Sequence, residues 1–181
     1  TQSRSNSAIK SFGKVPYERY GLYVGTATND QERQQRHDEV VENSRREMQR
    51  ILRGTPEGQP FFFVFGSINV HRPYTPDSGK KLWGIESDSL KGLIPKFLPD
   101  VHDVRRDFSD YLGEVLALDL MLGVMLEELE ASGELDNTVI VLSGDHGIPG
   151  IPRGKTNCYD LATQVPLLVR WPKGISAGRR V

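Results

Sequence analysis

One succession in this sequence narrows its possible folds more than any other: a long amphipathic stretch, a turn, then a run of β-branched residues. Asp100 follows Pro99 as a candidate helix N-cap, and Val104, Phe108, Tyr111, Val115, Leu118, Leu122, Met125 and Leu129 recur at three- and four-residue steps until Gly133. That spacing predicts a helix over 100–133. Asp136-Asn137 then turns the chain into Thr138-Val139-Ile140-Val141-Leu142, an apolar run with the character of a central parallel strand. A second strand, buried on both faces, is predicted over 61–65, where Phe61-Phe62-Phe63-Val64-Phe65 follows a Thr-Pro-Glu-Gly turn, and a third over 165–171. Helices alternating with buried strands define an α/β class with a largely parallel sheet flanked by helices.

The remaining segments are read around that frame. Residues 29–52, dense in Glu, Gln and Arg, carry Val40, Val41, Met48, Ile51 and Leu52 as an apolar stripe, with Glu42 placed to pair with Arg46; they predict a surface helix stopped by Gly54. Residues 72–99 hold four prolines and three glycines, which predicts a long surface excursion without extended regular structure. Residues 1–14, rich in Ser and Lys/Arg, show neither strand nor helix period and read as a connector.

Charge and cysteine usage exclude several functions. With 23 Lys+Arg against 24 Asp+Glu, the net charge of -1 provides no broad positive field for nucleic acid or an anionic membrane. The longest uncharged apolar run, 60–70, is too short to span a bilayer. Cys158 is the only cysteine, so neither an internal disulfide nor a zinc site of several thiolates forms within the chain; a small buried thiol is expected. The length of 181 residues suits one domain, and a start at Thr1 with an end at Val181 after a strand-like segment is expected of the central part of a longer catalytic domain.

Ligands of parallel sheets bind beyond the carboxyl ends of the strands, and two polar clusters follow predicted strands directly. Asp145 and His146 stand between Gly144 and Gly147, where a carboxylate and an imidazole can turn toward one metal ion; a purely structural polar turn is the alternative. His71, in His-Arg-Pro-Tyr-Thr-Pro, and Lys155, in Gly-Lys-Thr-Asn, can each donate to an anionic oxygen, against the plainer readings of a solvated loop histidine and a surface lysine. His37 and His102 read as solvated.

Taken together, His71-Arg-Pro-Tyr-Thr-Pro after an aromatic strand, Val-Ile-Val-Leu-Ser-Gly-Asp-His-Gly after Leu-Asp-Asn-Thr, and Gly-Lys-Thr-Asn-Cys-Tyr-Asp followed by Val-Pro-Leu-Leu-Val-Arg-Trp-Pro resemble the sulfatase family of the alkaline phosphatase superfamily, most of all its heparan N-sulfatase-like branch. The resemblance covers roughly residues 60–175. It implies a large α/β hydrolase of sulfate esters or sulfamates that uses a formylglycine nucleophile and one calcium ion, acts on sulfated sugars or aminosugars, and works outside the cytoplasm. It also implies roles: Asp145 and His146 as the second half of the metal site, Lys155 as the cation contacting the sulfate, His71 as the histidine beside the leaving-group oxygen. The four are expected to converge at one end of the sheet, within about 10–12 Å.

Three departures qualify the resemblance. No Asp-Asp occurs in the sequence, although the family's first metal pair consists of two consecutive aspartates. Formylglycine formation needs Cys or Ser with Pro at +2 and Arg at +4; Cys158 is followed by Tyr-Asp-Leu-Ala, and Ser176 has Arg180 but Gly178 in place of Pro. The family's Gly-Lys-x-His element is unmatched, since Gly13-Lys14 precedes Val15-Pro16. The 181 residues alone are therefore expected to be inactive. Two alternatives stay open: another hydrolase of the superfamily, such as a phosphodiesterase or phosphonate hydrolase using zinc or manganese, and a non-catalytic, degenerate relative.

Overall fold

The computed structural model describes residues 27–67 and 69–180; the connector expected over 1–14 and the Gly13-Lys14 element lie outside the described residues. The chain divides between Met125 and Leu126 into two compact units.

In the first unit, helix α1 spans Asp30–Gly54. Asn29 caps it by accepting from the Glu32 N–H at 2.9 Å, while the Glu32 carboxylate accepts from the Thr28 N–H and hydroxyl, both at 2.7 Å. The buried face is Val40, Ser44, Met48 and Ile51, a helical period in which Ser44 satisfies its hydroxyl on the Val40 carbonyl at 2.8 Å. Arg46 donates to Asn43 and not to Glu42. His37 is not a solvated residue: its ring stacks on Trp83 at 4.4 Å, and its Nε2 is buried.

The excursion over 72–99 is more ordered than its prolines and glycines predict. It holds a short helix α2, Ser78–Trp83, and a 3-10 turn, Ser87–Leu90. Asp77 offers α2 no side-chain cap, and Asp110 replaces it from another element, accepting from the N–H groups of Asp77 at 3.1 Å and Gly79 at 2.9 Å. Burial raises the pKa of Asp110 against the opposing effect of those hydrogen bonds.

Helix α3, His102–Ala131, is the helix expected over 100–133 with a later start. Asp100 does not cap it; its carboxylate accepts from the Gly92 N–H and from Arg105, both at 2.8 Å. The buried face also differs from the apolar template. Ser109, Asp110, Glu114, Ala117, Met121, Val124, Met125 and Leu129 are buried, whereas Phe108, Tyr111, Val115, Leu118 and Leu122 are only partly covered. The first half of α3 thus turns polar side chains inward.

Phe61–Phe65 carries no strand among the described residues. Its side chains alternate between partly covered and exposed, with Phe62 69% exposed, so it is not buried on both faces.

In the second unit a 3-10 turn, Leu135–Asn137, leads into strand β1, Ile140–Ser143; helix α4, Asp160–Thr163, and strand β2, Leu167–Arg170, follow. The pair is antiparallel, with Ile140 opposite Arg170 and Ser143 opposite Leu167. This corrects the parallel expectation for these two strands. A parallel neighbour needs a crossover, normally a full helix, and α4 has only four residues. Nor are the strands covered on both faces: Val141 is 61% exposed and Leu168 57%. Arg170 ties the end of β2 to the 3-10 turn, donating to the Leu135 carbonyl and the Asp136 carboxylate, both at 2.7 Å.

Candidate functional site

Gly144-Asp145-His146-Gly147 begins one residue beyond β1, as anticipated. His146 Nδ1 lies 2.8 Å from the Gly147 carbonyl. A carbonyl only accepts, so Nδ1 carries a proton, and Nε2 is the ring nitrogen left to offer a lone pair when it is unprotonated. That nitrogen stands 3.3 Å from Asp145 Oδ2, and the Asp145 side chain is largely open to solvent. A lone pair and a carboxylate oxygen side by side fit two ligands of a divalent cation. Among the described residues no group of three or more His, Cys, Asp and Glu completes such a shell.

Backbone contacts fix the loop that bears this pair. The Gly147 N–H donates to the Ala162 carbonyl at 2.9 Å, seating the loop on α4 so closely that a Cβ on Gly147 would stand 1.7 Å from the Leu161 oxygen. The Lys155 N–H donates to the Ile148 carbonyl at 3.0 Å, and a Cβ on Gly154 would lie 2.2 Å from that same carbonyl oxygen. Lys155 is therefore brought beside the Asp-His turn through the backbone at Ile148. Asn157 closes the loop by donating to the Gly154 and Lys155 carbonyls, both at 3.2 Å. Arg153 lies over the Tyr159 ring at 5.3 Å. Cys158 is exposed and not the buried thiol expected, because it sits on this surface loop before α4.

Asp145, His146 and Lys155 thus share the second unit. His71 belongs to the first, where it is exposed, with Nδ1 2.6 Å from the Arg72 carbonyl. The same carbonyl argument puts the proton on Nδ1 and turns the function of the ring over to Nε2. Behind His71 lies a polar network that the sequence reading did not single out. Asn69 donates to Glu114 at 2.6 Å, and Arg72 forms a two-pronged ion pair with Asp107, one prong at 2.6 Å. Asp107, Asp110 and Glu114 occupy i, i+3 and i+7 on α3, one face of a helix. That acidic spacing was the available signal.

Glu114 is deeply buried, and desolvation pushes its carboxyl from the ordinary 4.5 up to about 7, despite the hydrogen bond from Asn69 and aided by the charge of Asp110. The folded protein therefore favours the protonated form. Its contribution to stability is complete below about pH 4.5 and is lost as pH rises through about 7. Glu114→Gln, which stays neutral, is expected to flatten that part of the stability profile. Denaturant unfolding of both proteins from pH 4 to 8 checks this; superimposable profiles would contradict it.

The profile of the sulfatase family matches residues 10–181. An ulvan-active sulfatase of Formosa agariphila is 36% identical over 91 residues, 50% of this chain and 15% of that protein. N-sulphoglucosamine sulphohydrolase of Homo sapiens is 37% identical over 86 residues, 48% of this chain and 17% of that protein. An N-acetylglucosamine-6-O-sulfatase of Bacteroides thetaiotaomicron is 44% identical over 72 residues, 38% of this chain and 13% of that protein. The chain therefore spans less than a fifth of the length of these three relatives.

Proposed function

The chain belongs to the sulfatase family, and on that premise we propose that it forms part of a catalytic domain that hydrolyses sulfate esters or sulfamates of sugars and aminosugars. The observation that carries the proposal is the Asp145-His146 pair, with Oδ2 and Nε2 3.3 Å apart on a loop to which Lys155 is also tied. Membership of the family supports the α/β class expected from the sequence; the parallel sheet remains part of the proposal.

In this reading water is consumed, the bond from sulfur to the leaving oxygen or nitrogen breaks, the leaving atom takes up a proton, and sulfate is released. Asp145 and His146 would hold a divalent cation, calcium in the first instance, which neutralises sulfuryl charge when bound; a formylglycine supplied from outside these 181 residues would provide the attacking oxygen. Lys155 contacts the sulfate and offsets the charge on its oxygens. The His71 ring, through Nε2, gives a proton to the leaving atom in that step. The three relatives are named for ulvan, N-sulphoglucosamine and N-acetylglucosamine-6-O-sulfate chemistry, which supports a sulfated carbohydrate as substrate. Among the described residues no helix is long and apolar enough to cross a membrane, and a setting outside the cytoplasm is proposed by family resemblance.

The test compares residues 1–181 alone with the same chain joined to a segment bearing Asp-Asp and Cys-x-Pro-x-Arg. Both are assayed on 4-nitrophenyl sulfate and N-sulfoglucosamine with added calcium. The joined protein is expected to release sulfate from at least one substrate and the 181 residues from neither. Equal turnover by the shorter chain would place a nucleophile inside this sequence, and an inert joined protein would favour a non-catalytic relative.

A further inference from the structure

His71 has no support of its own beyond the backbone. Its Nδ1 faces the carbonyl of the next residue at 2.6 Å, and no other hydrogen bond to the ring occurs among the described residues. The direction of Nε2 therefore follows the backbone of residues 70–72. That backbone is unusual: Val70 has φ of 74°, a left-handed conformation that β-branched side chains avoid. Such a conformation persists where its neighbours over-determine it.

The neighbours do so on both sides. Upstream, Asn69 is 1% exposed; its Nδ2 donates to Glu114 at 2.6 Å, its Oδ1 accepts from the Ser67 hydroxyl at 2.8 Å, and its N–H donates to that same hydroxyl at 3.0 Å. Downstream, Arg72 pairs with Asp107 and lies over the Tyr74 ring at 4.4 Å, while the Tyr74 hydroxyl donates back to the Val70 carbonyl at 3.1 Å. Glu114 reaches this loop from α3 and is itself 3% exposed. A loop that needed only cover would be held as well by apolar packing, since a buried carboxyl carries a desolvation cost. What a hydrogen bond to Asn69 adds is direction.

We propose that Asn69 and Glu114 are positioning residues for His71: Glu114 holds Asn69, and Asn69 fixes the left-handed turn at Val70 from which the His71 imidazole is aimed. The inference rests on the reading of His71 as proton donor to the leaving group. Neither residue touches the reacting atoms.

The test uses the whole enzyme and two substrates that differ in their need for a proton: 4-nitrophenyl sulfate, with a good leaving group, and an alkyl sulfate, with a poor one. His71→Ala is the reference, expected to lower kcat on the alkyl sulfate by about 10²-fold and on the aryl sulfate only by about threefold. Asn69→Ala and Glu114→Ala are expected to show the same selectivity at about tenfold on the alkyl sulfate, with KM little changed. Glu114→Gln, whose amide oxygen still accepts from Asn69, is expected to recover most of the loss. Where Glu114→Ala fails to fold, Asn69→Ser, too short to reach Glu114, carries the same expectation. Losses shared equally by the two substrates, or no loss at all, while His71→Ala stays selective would overturn this inference and leave the role of His71 intact. A His71→Ala enzyme without selectivity would overturn that role, and this inference with it.

Discussion

Lys155→Ala is expected to lower kcat/KM of the whole enzyme toward sulfate esters by about 10²–10³-fold, with most of the loss in kcat. Lys155 is half-buried, on a loop whose backbone is held at Ile148, and its ammonium pairs with no carboxylate among the described residues. A cation already neutralised by a neighbour would give little to a bound anion; this one keeps its charge for a ligand. Negative charge on the sulfuryl oxygens grows as the bond to the leaving group stretches, so the interaction strengthens toward the transition state and acts on kcat. Lys155→Arg keeps the charge but spreads it over a planar fork with different reach, and a loss of about tenfold is expected. Steady-state kinetics on one aryl sulfate decide the matter. A Lys155→Ala enzyme within threefold of the wild type would return Lys155 to the status of a surface lysine.

The two long helices were legible because their signals are local. The spacing of Val40, Met48 and Ile51 lies within one segment and needs no partner elsewhere to be read. The strands were legible as extended segments and not as a sheet. The Val-Ile-Val run at 139–141 announces a strand, but direction depends on what connects it to its neighbour, and the four residues of α4 carry too weak a period to reveal that no crossover helix intervenes. Phe61–Phe65 likewise has the composition of a strand, but no residue of the segment itself specifies which neighbour it would pair with.

The site divides in the same way. Asp145, His146 and Lys155 are legible as candidates because glycines mark the loops where backbones approach closely, and backbone hydrogen bonds seat Gly147 on Ala162 and Lys155 on Ile148. The network behind His71 is not legible in the same way, because the apolar period of α3 passes over Asp107, Asp110 and Glu114. Acidic side chains on one helix face normally signal a solvated surface. Here Asn69, Arg72 and the N–H groups of Asp77 and Gly79 supply the partners that make burial tolerable, and all of them come from a stretch of sequence at least 28 residues away. Only the fold shows that pairing.

Gly147→Ala is expected to destabilise the second unit by roughly 3–5 kcal/mol and to abolish whatever divalent-cation affinity the Asp145-His146 pair confers. A Cβ at this position would stand 1.7 Å from the Leu161 oxygen, 2.7 Å from its carbonyl carbon and 3.0 Å from the Ala162 Cα. All three obstacles are backbone, so no rotamer change relieves them; the loop must lift from α4 and give up the hydrogen bond to Ala162. Because His146 Nδ1 is oriented by the Gly147 carbonyl, that movement also releases the ring from its alignment with Asp145. Gly144→Ala provides the control. Its Cβ would meet the Val165 side chain at 3.4 Å and the His146 carbonyl oxygen at 3.7 Å, both within ordinary contact, and a change below about 1 kcal/mol is expected. Denaturant unfolding and calorimetric titration with calcium and manganese on both variants read the two effects separately. If Gly147→Ala unfolded at the wild-type midpoint, the close approach to α4 would not be what holds the loop. If it lost stability but kept its cation affinity, the metal would lie elsewhere than on Asp145 and His146.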